Sequence, residues 1–229
     1  MKSFLYSFIL LSIAFSINSK ASPNKFSYAQ DTLRYLKNPN YIQQMGLYKI
    51  YKVKHANIVM LGNSITHGVN WADLLGRTDV VGEGITSDVL EGFLNRLYYV
   101  TKLHPKVCFI MGGINDIYNW NPVENIFQEY VTLIRKLQAR YIKVVIQSTL
   151  YVASRYPDAS GRNKQVTKLN RLLKDFAKKN NIDFIDLNKK MSTNDFLMDN
   201  LTFDGVHLNA NGYAIWRKEI EKELSKLGI

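Results

Sequence analysis

From residue 57 onward, short apolar runs alternate with longer amphipathic stretches, and this alternation constrains the fold more than any other feature. The runs cover residues 58–61, 79–81, 106–111, 143–147 and 183–187. The first, third and fourth are largely apolar, as in strands covered on both faces of a sheet. Between the runs, apolar residues recur at helical spacing. Val89, Leu90, Phe93, Leu94, Leu97 and Val100 form one stripe. Val123, Ile126, Phe127, Tyr130, Val131, Ile134 and Leu137 form a second. Val166, Leu169, Leu172, Leu173 and Phe176 form a third, and Tyr213, Trp216, Ile220, Leu224 and Leu227 close the chain. Such alternation predicts a parallel sheet with right-handed crossovers, so residues 56–229 read as one three-layer α/β domain.

Two segments precede that domain. Residues 22–55 read as a helical extension packing on it. Residues 31–37 suit a short helix interrupted by Pro39, and Tyr41, Ile42, Met45 and Tyr48 are spaced for one apolar helical face. Residues 1–21 differ from the rest: Lys2, an apolar run over 4–15, then Ser19-Lys20-Ala21 with small residues where a signal peptidase reads. The run is short for a membrane span. We read an export signal cleaved near Ala21, giving a periplasmic or secreted chain without stable membrane insertion. A retained N-terminal anchor is the alternative.

Composition excludes some classes. The formal charge is +11, of which Lys2 and Lys20 lie in the leader. The remaining cations, such as Lys174, Lys178, Lys179, Lys189 and Lys190, are spread over helices and loops and accompany no nucleic-acid-binding module, so no nucleic-acid partner is expected. The single cysteine, Cys108, sits inside an apolar run and reads as a small buried hydrophobe. The oligomeric state is not legible.

In open α/β sheets, chemistry gathers at the carboxyl ends of the strands. Four segments there are unusual: Gly62-Asn63-Ser64, Gly84-Ile85-Thr86-Ser87-Asp88, Gly112-Gly113-Ile114-Asn115-Asp116 and Asp204-Gly205-Val206-His207. Ser64 directly follows the first run and is presented by a glycine turn. It reads either as a nucleophile or as the N-cap of a helix carrying Trp71, Leu74 and Leu75. A serine nucleophile needs a base. Of the four histidines, His55 and His104 fall in polar loops, while His67, on the turn after Ser64, is aimed along a helix. His207 has a carboxylate three residues earlier, at Asp204, which can hold one ring nitrogen and leave the other for serine. Asn115 can donate its side-chain amide to a developing oxyanion, and the Asp88 and Glu91 spacing predicts a helix start at Ser87 whose N–H groups face an anion. Asn115-Asp116 can also be read as a plain turn.

Together these residues resemble the SGNH, or GDSL-like, hydrolases, named for serine, glycine, asparagine and histidine from four blocks. The likeness spans roughly residues 56–215. It implies a flavodoxin-like fold with five parallel strands and a mechanism without metal or cofactor. By that resemblance Ser64, Asp204 and His207 are the catalytic residues; Ser64 N–H, Ser87 N–H and the Asn115 amide form the oxyanion hole; and an acyl-serine is formed and hydrolysed. Two positions depart from the family. Asn63 stands where an aspartate usually precedes the serine. Ser87 stands where a glycine usually supplies an N–H, a strained substitution if the backbone there needs positive φ.

No long apolar lid segment is visible, and Trp120, in Tyr118-Asn119-Trp120-Asn121, offers a surface for stacking a sugar ring or for loop packing. A small acyl group, acetyl above all, on a small-molecule or glycan ester is the expected substrate. A lysophospholipase or thioesterase of the same family, and a non-catalytic glycan- or anion-binding relative, are the alternatives.

Overall fold

The structure is a computed structural model and describes residues 33–229. The expected export signal over 1–21 and the first part of the 22–55 extension lie outside the described residues. A 3-10 turn, Arg34–Lys37, precedes α1 (Pro39–Ile50). Pro39 opens α1 at the position where its missing N–H is harmless, and Asn38 caps it by accepting from Asn40 N at 3.0 Å. The expected apolar face is partly corrected. Tyr41 and Tyr48 are buried in a small cluster with Tyr35, Ile85 and Val89, but Ile42 is 52% exposed.

The main domain then runs β1 (Ile58–Gly62), α2 (Ser64–His67), α3 (Trp71–Leu75), β2 (Val80–Gly84), α4 (Leu90–Asn95), α5 (Leu97–Thr101) and β3 (Val107–Met111). It continues through α6 (Ile114–Tyr118), α7 (Val123–Gln138), β4 (Lys143–Gln147), α8 (Ala159–Lys179), β5 (Asp183–Ile185) and α9 (Asn188–Met191). A two-stranded hairpin, β6 (Ser192–Thr193) and β7 (Phe196–Leu197), leads into α10 (Ala210–Leu227). Strands β1 to β5 form one sheet in the order β2-β1-β3-β4-β5, every pair parallel. Helices flank it: α4, α7 and α8 pack in succession, and α3 packs on α10.

The apolar runs are the core. Every residue of β1 and β3 is buried, Cys108 included. Trp71 and Trp216 meet edge to face at 4.9 Å and lie almost wholly inside, so truncating either to alanine should cost about 3–5 kcal/mol. Among the described residues, no helix is long and apolar enough to cross a membrane.

Four expected elements come out differently. The second strand runs Val80–Gly84, ending three residues beyond the expected 79–81. The stripe over 89–100 is two helices, because Arg96 leaves helical dihedrals (φ −102°, ψ 10°). The last strand stops at Ile185. The helix after Ser87 begins only at Leu90, with no side-chain cap from Val89. Asp88 and Glu91 do not form a capping pair: Asp88 Oδ1 accepts from Val89 N, while Glu91 accepts from Arg34 N at 3.0 Å. The N–H of Leu90 goes instead to the Asp116 carboxylate, 26 residues away.

The register decides where the site lies. Gly62, at the end of β1, is level with Gly84 on β2 and Met111 on β3. The chain moves from β1 to β2 and then crosses over β1 to reach β3. The carboxyl ends of β1 and β3 therefore bracket the switch point where such sheets open a crevice.

Candidate active site

Ser64 is the first residue of α2, a four-residue helix. The cap is not Ser64 but Asn63, whose side chain accepts from Ile65 N at 3.0 Å. The helix carrying Trp71 is separate, with Asn70 as its cap. The Ser64 hydroxyl is thereby left for another partner. Gly62 is required by space: a Cβ there would sit 1.9 Å from Thr66 Oγ1 and 2.8 Å from the Met111 carbonyl. From the far end of the chain, Tyr213 on α10 donates its hydroxyl to Ile65 O at 2.7 Å and pins the same turn.

The partner is His207. Its Nε2 lies 2.9 Å from Ser64 Oγ, and its Nδ1 lies 2.6 Å from Asp204 Oδ2. A carboxylate can only accept, so Nδ1 carries the proton and Nε2 is left to take the serine's. Asp204 is itself oriented, since its Oδ1 accepts from Val206 N at 2.9 Å and His207 N at 2.8 Å. Burial opposes its charge, but the hydrogen bonds from the His207 ring and from these two N–H groups outweigh it and hold the carboxyl below its ordinary value. Thr202 closes the loop by donating to His207 O at 2.6 Å and accepting from Gly205 N at 2.9 Å. Phe203 is 70% exposed and stacks at 5.9 Å on the His207 ring, forming part of the rim.

The other histidines are elsewhere. His55 and His104 are exposed. His67 turns its Nδ1 to Gly84 O at 3.2 Å, away from Ser64 Oγ.

Asn115 is the second residue of α6, two residues past Gly113, which adopts φ +98° as the helix N-cap. Its amide donates one hydrogen to Asp88 O at 2.8 Å, and the second hydrogen of the same amide has no partner in the protein among the described residues. Ser87 has φ +60°. The family's glycine position is thus left-handed here, and serine occupies it at a strain of roughly 1–2 kcal/mol. Neither the Ser64 nor the Ser87 N–H donates to another backbone group among the described residues.

Trp120 is held in an unusual way. It has φ +59° and is 76% exposed, with the Arg162 guanidinium 3.4 Å below its ring centroid. Arg162 is buried and anchored on Ile117 O at 2.8 Å, so one indole face is covered and the other open. The indole borders an open groove of about 770 Å³ lined also by Ile117, Tyr156, Asp158 and Gln165. Tyr156 packs against Gly205, where a Cβ would lie 3.3 Å from its ring, so the groove adjoins the loop carrying Asp204 and His207.

Asp116 and Glu129 lie behind Asn115. Burial, opposed by the Leu90 N–H, raises Asp116 to about 7. Burial together with the Asp116 charge raises Glu129 to about 8. Reading the sequence alone missed Arg96, which is fully buried and donates to Asp88 and to Gly62 O. The signal was present: Arg96 falls at the spacing of Val89, Phe93 and Val100, a lone charge on an apolar stripe.

Known proteins share this fold. A GDSL-like lipase from Bacteroides thetaiotaomicron superposes with a TM-score of 0.71 at 26% identity, covering 82% of this chain and 98% of that one. An acetyl xylan esterase shares the fold, with a TM-score of 0.63 at 23% identity over 73% of this chain and 98% of its own. The N-acylneuraminate cytidylyltransferase of Streptococcus agalactiae serotype V is 30% identical over 99 residues, 43% of this chain. The match spans only 23% of that relative's length. Residues 60–215, from within β1 to within α10 and including all four blocks, match the GDSL-like lipase/acylhydrolase family, so the chain belongs to that family of ester-cleaving hydrolases.

Proposed function

We propose that the protein is an exported serine esterase that removes small acyl groups, acetyl foremost, from carbohydrate esters. The observation that carries this reading is the continuous relay from Ser64 Oγ through the His207 ring to Asp204, at 2.9 and 2.6 Å. His207 takes the hydroxyl proton as Ser64 Oγ attacks the ester carbonyl. The Ser64 N–H, the Ser87 N–H and the Asn115 amide hold the oxyanion. His207 then returns the proton to the departing alcohol, leaving an acyl-serine. Water, activated by the same imidazole, releases the acid. Asp204 keeps the imidazole in one tautomer throughout. The carbohydrate part of the reading draws support from Trp120, whose open indole face borders the groove beside the relay and suits the apolar face of a sugar ring. Export is read from residues 1–21, ahead of the 22–55 extension.

The test is hydrolysis of p-nitrophenyl esters together with release of acetate from acetylated oligosaccharides. Ser64→Ala should abolish both while the protein stays folded, and undiminished turnover would sink the assignment of Ser64. Trp120→Ala should raise KM for the oligosaccharide and leave p-nitrophenyl acetate unaffected. Faster cleavage of long-chain acyl esters than of acetate would move the assignment to a lysophospholipase or thioesterase. Absence of both hydrolysis and fluorophosphonate labelling would make the protein a binding relative.

A further inference from the structure

Arg96 is among the largest fully buried side chains, at 0% exposure. Taking a guanidinium out of water costs several kcal/mol unless its donors are matched, so the destination of each donor is informative. Nε donates to Asp88 Oδ2 at 2.7 Å and Nη2 to Gly62 O at 2.8 Å. Nη1 faces Tyr48 Oη at 3.5 Å and Glu83 Oε2 at 3.7 Å.

The first two contacts join parts of the site that the chain keeps apart. Gly62 ends β1, two residues before Ser64. Asp88 directly follows Ser87 beyond the end of β2, and its own carbonyl accepts from Asn115 Nδ2 at 2.8 Å, beyond the end of β3. Sheet register sets the three strand ends level, but Ser64, Ser87 and Asn115 all lie past the last ladder bonds. Past the sheet, the Arg96 fork and the Asp88 residue it grips join all three segments, alongside the Ile85 N–Gly62 O bond and the Leu90 N–Asp116 bond, which each join two. The Gly62 carbonyl also accepts from Ile85 N at 3.2 Å, so it stays satisfied without Arg96. Arg96 is therefore not needed merely to satisfy that carbonyl.

We infer that Arg96, acting through Asp88, is a positioning residue that sets the oxyanion donors at Ser87 and Asn115 relative to the Ser64 nucleophile. The inference rests on reading Ser64, Ser87 and Asn115 as one ester-cleaving site. A planar two-armed cation suits the task because it reaches a carboxylate and a carbonyl at once in fixed geometry; a lysine holds one point charge.

Two variants test this. Arg96→Lys keeps the charge and loses the fork. The double variant Arg96→Met with Asp88→Asn removes the close ion pair; it leaves Glu83 without its cation, and burial already raises that carboxyl toward its neutral form. Active sites are counted by fluorophosphonate titration, and kcat and KM for p-nitrophenyl acetate are taken per titrated site. Misplacement of donors by about 1 Å predicts a fall in kcat on the order of 100-fold with KM nearly unchanged. In an Asn115→Ala background the same changes should have a clearly smaller further effect, because one of the two donors they position is already gone. Should the double variant not fold, Arg96→Lys is read the same way. Turnover per titrated site within about twofold of wild type in a folded variant would overturn the inference and leave Arg96 a purely structural residue. So would full additivity with Asn115→Ala. Failure of the esterase reading itself shows differently, as a wild-type protein that neither hydrolyses ester nor labels.

Discussion

His207 Nε2 sits 2.9 Å from Ser64 Oγ, although the two residues are 143 positions apart. The contact depends on Asp204, which holds the far side of the ring at 2.6 Å and is in turn held by two backbone N–H groups of its own loop. Asp204→Asn would place an amide against Nδ1 and favour the wrong tautomer. We expect kcat to fall by up to about 10⁴-fold with the fold retained, checked by ester turnover and circular dichroism. Turnover within tenfold of wild type would remove Asp204 from the relay.

Replacing Asn115 tests the proposed oxyanion hole. One amide hydrogen is committed to Asp88 O at 2.8 Å, which aims the other. Asn115→Ala should lower kcat by about 10²–10³-fold and leave KM nearly unchanged, since the donor acts on charge that develops only in the transition state. A change confined to KM would contradict that role.

At Ser87, φ is +60°, a conformation that glycine adopts without strain. Ser87→Gly is expected to stabilise the fold by about 1 kcal/mol in thermal or denaturant unfolding. Turnover should hold or rise, because the N–H is kept. A marked loss of turnover would show that the serine hydroxyl itself works in the site.

Glu129 is buried behind the site, and its Oε2 has no hydrogen-bond partner among the described residues. Burial and the nearby Asp116 charge raise its carboxyl from the ordinary 4.5 to about 8. The folded state therefore prefers the protonated acid. Between pH 4.5 and about 8 the unfolded chain gives up this proton while the folded one retains it, so stability declines as pH rises through that window. Asp116, raised to about 7, acts in the same direction. Glu129→Gln has no proton to lose. Its Tm should match wild type near pH 5 and exceed it at pH 9, measured by scanning calorimetry; parallel Tm curves would refute the assignment.

The parallel sheet was legible because a strand buried on both faces must be apolar throughout, and β1, β3 and β4 are nearly so. The four blocks were legible by their combination: Ser64 and Asn115 follow glycine at the ends of apolar strands, and Asp204 stands three residues before His207, although that last block lies in a loop with no strand end before it. Features that depend on a residue's neighbours were not. Whether Ser64 caps its helix could not be read locally, since Asn63 and Ser64 both suit that position; the folded chain gives the cap to Asn63 and the hydroxyl to His207. Glu91 lies at capping distance from Asp88, yet Arg34 N takes its carboxylate, a contact spanning 57 residues. Sequence by itself determined the strands, the core and which side chains are candidates for chemistry, because hydrophobic period and residue type are local properties. Only the tertiary structure decided that Ser87 is left-handed, that Trp120 lies on Arg162, and that Arg96 joins Gly62 to Asp88. The last two follow from burying the Arg162 and Arg96 guanidiniums, which must find partners wherever the fold places them.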